Sequence, residues 1–363
     1  MKQVLFFASD FQIGLSALLT DELLAFHEAG IDVVAVAGER EQEEGLTQRT
    51  KAIPRVYRIS GLDDHRDFRQ LSANIAQIIK KHQIEVIHVQ NNWQLALTAY
   101  AKYIILRNSH LKILYTLHGF RHNHPLKSII ARFVIGTALL CLADRVICMS
   151  SYLKRKFSLL SYKIALLPLG IPDSFFSEEH QLPTGRGLQM VFPAQFRYGK
   201  NQDTIIKAFA LHIRNTGDAL SHLTLPGSGE LLEQMKSLAS ELGISDRVSF
   251  PGQCAKEQIR QFYLQSNIGI VASNSETFGQ SIVEPFVLGR CVLTTPVGIA
   301  PDIIQEREGG FFFQTTAQLT QLMETLYNNP PLIVQCGERN FNQKEQFRWT
   351  VISQQYQSLF LTS

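Results

Sequence analysis

Short apolar runs alternate along this chain with longer segments whose apolar residues recur at a helical period. Residues 4–9, 31–37, 56–59, 85–89, 112–117, 145–149 and 163–167 read as strands. Between them, residues 16–29, 68–82, 94–106 and 125–143 predict amphipathic helices. Pro172, Pro183, Gly185 and Gly187 then punctuate residues 173–187, which read as a linker. A second series follows, with strands at 188–193, 223–225, 248–250, 269–271 and 292–295. Its helices are expected at 203–212, 230–242, 256–266 and 280–288. The tail 348–361 places Trp349, Ile352, Tyr356 and Phe360 on one helical face.

Alternating strands and helices predict parallel sheets with helices on both sides. The expected fold class is α/β, with two Rossmann-like, doubly wound domains. Residues 1–175 form the first and 176–345 the second, and a final helix over 346–363 is expected to pack back on the first. Two such sheets would set their strand C-terminal ends, where ligands bind, along a shared cleft.

Composition changes this picture little. The chain has 363 residues, 45% hydrophobic and 18% charged, which suits folded domains and excludes disorder. The first apolar run is short and lacks a small-residue cleavage site, so it reads as a strand and not a leader. No run approaches the ~18–20 apolar residues of a membrane span. Five cysteines, Cys141, Cys148, Cys254, Cys291 and Cys336, show no paired or metal-ligand spacing, which points to reduced thiols and a cytoplasmic location.

Charge is uneven. Residues 86–172 hold eleven Lys and Arg against one acid, Asp144. A solvated basic face explains this, and so does attraction to phosphates or an anionic membrane surface. The segment 125–136, which mixes Ile and Phe with Lys127 and Arg132, reads equally as a core-packed or an interfacial helix.

The most informative stretch runs from Ser273 to Glu284, after one strand and into a helix. Such a junction offers free backbone N–H groups and a positive helix end, which suits an anion. Gly279 lets a ligand approach the backbone closely. Glu276 and Glu284 can each accept hydrogen bonds from neighbouring hydroxyls, as a sugar or a ribose would offer them. The plainer alternative is two unrelated surface glutamates. A second stretch, Gln195, Phe196, Arg197, Tyr198, Gly199 and Lys200, follows the first strand of the second half. Arg and Lys in a loop there can neutralise a diphosphate. It is no P-loop, because no Gly opens it and Asn201 stands where a Mg²⁺ site needs Ser or Thr. His118 ends the strand 112–117. Asp63, Asp64 and His65 form a superficial metal-like cluster, but no metal site is expected.

These residues resemble the retaining GT-B glycosyltransferases of glycosyltransferase family 4, whose mark is two glutamates separated by seven residues. The likeness extends through Gly14 in the segment 11–16, His118 with Gly119, the runs 144–150 and 167–173, and the loops 226–230 and 250–252. It implies a GT-B fold and transfer of a hexose from a nucleotide diphosphate sugar, a UDP-sugar being favoured. The acceptor would be a glycan or a lipid-linked sugar, in cell-surface polysaccharide or lipopolysaccharide synthesis. It implies catalytic roles for His118, Glu276 and Lys200, and Arg197, the cation nearest to Gln195, is expected to join Lys200 on the diphosphate. Donor binding would fall to Gly14, Gln195, Lys200, Gly252, Thr277, Phe278, Gly279, Gln280 and Glu284, with Glu284 on the ribose. No cofactor, metal or nucleic-acid partner is expected. The family holds Arg where this chain has Gln195. Pro285 follows Glu284 inside the predicted helix, where it removes a backbone bond, so that helix is expected to start late or kink there. Gln195 and Pro285 keep open an inactive binding module for nucleotide sugars or anionic glycolipids, and a sugar epimerase or phosphorylase of related fold is the other alternative.

Overall fold

The structure, a computed structural model, describes residues 2–7, 13–38, 53, 55–62, 67–118, 125–183 and 187–362. The chain divides into two units, Met1–Gly170 with Trp349–Ser363, and Ile171–Arg348.

The first unit is a parallel sheet of seven strands: β1 (Val4–Phe7), β2 (Val33–Gly38), β3 (Val56–Ile59), β4 (Val86–Val89), β5 (Lys112–Thr116), β6 (Arg145–Cys148) and β7 (Ile164–Leu166). Their spatial order is β3-β2-β1-β4-β5-β6-β7, and every pairing is parallel. The central strands are buried on both faces, which is why they read as unbroken apolar runs. Phe68–Lys81 forms a helix whose Leu71, Ile75 and Ile79 enter the core. The helix Asn92–Tyr100 continues as a wider, π-type turn over Ala101–Leu106, so the single helix expected over 94–106 changes pitch part-way.

The C-terminal helix, Trp349–Thr362, belongs to this first unit. Tyr356 and Phe360 pack on Phe26 of the helix Ile13–Glu28, at 4.8 and 5.6 Å between ring centres. Its first residue needs a glycine opposite: a Cβ on Gly170 would lie 2.3 Å from the Trp349 indole. Glu22 and His88 are fully buried beneath this aromatic layer, 3.9 Å apart. Burial pushes the Glu22 carboxyl up to about 8 and the His88 imidazole down to about 3, because each charged form would lose its hydration.

The second unit is a six-stranded parallel sheet: β8 (Gln189–Val191), β9 (His222–Thr224), β10 (Val248–Ser249), β11 (Ile268–Val271), β12 (Cys291–Thr294) and β13 (Gly310–Phe312), in the order β10-β9-β8-β11-β12-β13. Strand β13 and the helices Thr316–Asn328 and Pro330–Asn342 fill the stretch that the sequence pattern left unassigned. In each sheet the strand order reverses once, between β1 and β4 and between β8 and β11. Ligands bind beyond the strand ends at such reversals.

Candidate functional site

At the reversal in the second sheet, two loops leave neighbouring strands and are tied together. One is residues 192–201, after β8, and the other is residues 272–279, after β11. Asn201 Nδ2 donates to the Ala272 carbonyl at 2.8 Å and to Asn274 Oδ1 at 2.6 Å, and the Asn274 amide donates to the Gly199 carbonyl at 2.8 Å. Gly199 (φ +85°) and Asn201 (φ +55°) both adopt left-handed backbone, which makes the sharp turn that carries Lys200 between them. The Lys200 ammonium forms an ion pair with Glu276 Oε1. The side chains are 14% and 15% exposed, so the pair is largely shielded from solvent.

The floor under Glu276 is close-packed. The Ile299 amide donates to the Phe278 carbonyl at 2.8 Å, and a Cβ on Gly298 would lie 2.3 Å from that oxygen and 3.0 Å from Glu276 Cβ. Gly279 (φ +96°) then starts the helix Gln280–Val287. Ile282 and Val283 donate to the Gly279 carbonyl. The Gln280 and Ser281 amides precede any carbonyl the helix can offer them, which makes this helix end attractive to an anion. Thr277 and Phe278 lie in the same turn, Phe278 buried. Glu284 is buried one turn further on. Its Oε1 takes an ion pair from Lys256, at the start of the helix Lys256–Leu264. Each glutamate of the pair therefore holds a lysine. Lys256 was not expected from the sequence, because a lysine in the first turn of a polar helix carries no pattern of its own.

Helix Gln280–Val287 runs through Pro285, whose ring packs on β11: a Cβ on Gly269 would lie 2.4 Å from it. Gly269 and Pro285 are a matched pair, and the helix neither starts late nor ends at the proline.

The remaining predicted residues fall in two groups. Gln195 is exposed, Arg197 is half-buried, and the Gln195 carbonyl accepts from the Arg197 amide and from Gln202 Nε2, both at 3.0 Å. The path of this loop is set by its neighbour. The Phe196 amide donates to the Ser228 carbonyl at 2.9 Å, and Cβ atoms on Gly227 and Gly229 would lie 1.9 Å and 2.3 Å from the Ala194 and Phe196 carbonyl oxygens. Gly252 accepts from the Gly227 amide at 2.7 Å and so holds that neighbour in place. Its backbone is scaffold for the loop that carries Lys200.

In the first unit, Gly14 is the second residue of the helix Ile13–Glu28. Gly119 and the cluster Asp63, Asp64 and His65 lie outside the described residues. Among the described residues no group of three metal-ligating side chains occurs. His118 follows β5, and its Nε2 lies 2.7 Å from Gln90 Oε1. Burial holds its imidazole down to about 4, so the ring is neutral at physiological pH. Gln90 was missed by sequence reading, since a lone amide after a strand gives no signal.

The first unit also carries an exposed apolar and basic patch. The turn Ser158–Lys163 is pinned beside the helix Pro125–Leu142 by Lys163 Nζ, which donates to the Leu140 and Ala143 carbonyls at 2.7 Å. Leu159 is 89% and Tyr162 64% exposed, Leu140 and Leu166 are also exposed, and Lys154, Arg155 and Lys156 end the helix Ser151–Lys156 just before the turn. No helix of the described residues is long and apolar enough to cross a membrane.

Residues 14–175 match the family model described as Glycosyltransferase Family 4, and residues 175–343 match Glycosyl transferases group 1. The chain belongs to the GT-B glycosyltransferases. Among curated relatives, this glycosyltransferase is 24% identical over 291 residues to the putative glycosyltransferase EpsD of Bacillus subtilis, covering 75% of this chain and 74% of that one. It is 23% identical over 278 residues to the alpha-monoglucosyldiacylglycerol synthase of Streptococcus pneumoniae, covering 70% and 62%. Among solved structures, it resembles Anabaena HepE in complex with UDP and glucose, with a TM-score of 0.78, 18% identity and full coverage of both chains.

Proposed function

We propose that this glycosyltransferase moves a hexose from a UDP-sugar to a glycan or lipid-linked acceptor, with retention of the anomeric configuration. The observation that carries the proposal is the Lys200–Glu276 pair beside the Gln280 helix end, at the strand reversal of the second sheet. A cation and a carboxylate beside the amides of a helix end suit a ligand that is anionic at one end and rich in hydroxyls at the other. In this reading Lys200 and Arg197 meet the departing diphosphate, and the helix end adds its partial positive charge. Glu276 and the turn from Thr277 to Gln280 orient the sugar, and Glu284 takes the ribose hydroxyls. Both carboxylates bind and neither flanks the bond from the opposite side, so the chemistry differs from the two-carboxylate plan of glycoside hydrolases. The diphosphate charge is met by side chains and amides in this scheme, with no step that calls for a metal.

UDP and glucose in the HepE complex and the diacylglycerol-linked activity of the pneumococcal relative support the donor and acceptor classes. The exposed Leu159–Tyr162 patch with its lysines supports a peripheral, cytoplasmic-face encounter with anionic lipid. Sedimentation that is stronger with anionic than with neutral vesicles, and that weakens with salt, tests that part. Donor-dependent thermal shifts across a panel of nucleotide sugars test the rest. Binding at a hundred times Kd stabilises by ~2.7 kcal/mol, and UDP-hexoses should raise the melting temperature where nucleosides do not.

A further inference from the structure

Gln90 follows β4, one of the two strands between which the first sheet reverses its order. Its side chain is 2% exposed and its amide bridges two imidazoles. Oε1 faces His118 Nε2 at 2.7 Å, and Nε2 faces His88 Nε2 at 3.4 Å. An amide oxygen only accepts, so His118 carries its proton on Nε2 and donates it to Gln90. His88 Nε2 also meets the Thr116 hydroxyl at 2.6 Å. An amide N–H only donates, so His88 Nε2 is the lone-pair nitrogen facing it and the His88 proton sits on Nδ1, while the Thr116 hydroxyl can give or accept. The amide is thus a coupler: it fixes the tautomer of one ring by reading the tautomer of the other.

We propose that Gln90 is a positioning residue for transfer, holding His118 in the Nε2–H tautomer with its ring plane set while its own amide N–H faces His88 Nε2. The proposal adds to the function proposed above, and rests on it, by taking His118, for which the family resemblance implies a catalytic role, as a group that meets the sugar. A neutral ring protonated on Nε2 keeps its lone pair on Nδ1, an acceptor whose chemistry matches a hydroxyl and not an oxyanion. Gln90 itself is also located from its other side, because its backbone amide donates to Gln94 Oε1 at 2.8 Å. His88 packs in turn against both Phe6 and Phe26, at 5.2 and 6.2 Å between ring centres. The relay therefore begins in the buried core and ends at a partly buried imidazole just after β5.

The test is ¹⁵N NMR of the full-length protein, labelled at histidine, together with kinetics. The wild type should show His118 as the Nε2–H tautomer. Gln90→Leu should turn His118 into a mixture of tautomers, lower kcat by about 10- to 100-fold, and leave UDP affinity unchanged. Gln90→Glu keeps an acceptor, so it should restore the single tautomer. Its carboxylate favours the imidazolium, so the acid limb of the pH–rate profile should move to higher pH. An Nδ1–H tautomer for His118 in the wild type, or an unaltered tautomer in Gln90→Leu, would overturn the proposal. Should Gln90→Leu not fold, the wild-type and Gln90→Glu spectra decide it. Absence of any sugar transfer by the wild type would count against the functional reading alone, since the tautomer measurement needs no substrate.

Discussion

The Tyr263 hydroxyl donates to the Ser281 carbonyl across 3.3 Å. Ser281 lies four residues before Pro285, so its carbonyl is the one that the missing proline N–H leaves without a partner inside the helix. Tyr263, fully buried on the helix Lys256–Leu264, supplies the donor. The helix that carries Glu284 is thereby fastened to the helix that carries Lys256. Tyr263→Phe should cost about 1 kcal/mol, the usual net value of one hydrogen bond. Denaturant unfolding of the two proteins would measure it, and equal midpoints would show that the contact contributes nothing.

The two glutamates should separate by function. Glu284→Ala is expected to weaken UDP and UDP-sugar alike, because its proposed partner is the ribose. Glu276→Ala should reduce turnover more than UDP affinity, because its proposed partner is the sugar. Titration of each variant with UDP distinguishes the roles, and loss of UDP binding only in Glu276→Ala would reverse the assignment.

Arg197 is the cation best placed in the sequence to serve where the family's arginine is replaced by Gln195. Arg197→Ala should lower turnover by ~10²-fold, the loss typical of a transition-state donor. Gln195→Ala should cost far less, since Gln195 is exposed and holds the loop through its main-chain carbonyl. Adding Gln195→Arg to Arg197→Ala should recover part of the rate. Steady-state kinetics on the three proteins give the answer, and near wild-type turnover in Arg197→Ala would leave the diphosphate to Lys200 and the helix end.

The buried Glu22 and His88 predict opposite pH effects on stability. Glu22 is raised to about 8 from an ordinary value of 4.5, so the folded protein keeps a proton that the unfolded chain releases. Its contribution is complete below pH 4.5 and is lost as pH rises to about 8. His88 is lowered to about 3 from 6.5, so its contribution is complete above pH 6.5 and is lost as pH falls. Between 4.5 and 6.5 the two slopes oppose each other. Glu22→Gln should therefore melt higher than wild type at pH 8 by roughly 2–4 °C or more, the shift that ~1 kcal/mol produces in a domain of this size. At pH 4, below the ordinary value of 4.5, the two proteins should melt alike. A constant difference across pH would mean that Glu22 does not titrate in this way.

Much of the fold was legible because fully buried parallel strands such as Val4–Phe7 and Ile268–Val271 are short unbroken apolar runs. The stretch from Ala300 to Phe347 was not, because β13 is only three residues long, Gly310–Phe312, and its first glycine is there to let Val292 of β12 approach. The Glu276 and Glu284 pair was visible through its spacing and its position between a strand and a helix. Lys256 and Gln90 were hidden, since each acquires its partner only when separate elements come together. Pro285 was misleading in isolation: its ring fits because Gly269, sixteen residues earlier, has no side chain to oppose it.

The central claim is glycosyl transfer from a nucleotide sugar with retention, and the stereochemistry of the product tests it most directly. Incubation with an α-linked UDP-hexose and a lipid-linked or glycan acceptor, followed by NMR of the isolated product, reads the new linkage from its one-bond anomeric C–H coupling. The account predicts an α-linked sugar on the acceptor and stoichiometric release of UDP. A β-linked product, an epimerised donor, or a sugar phosphate in place of a glycoside would contradict it.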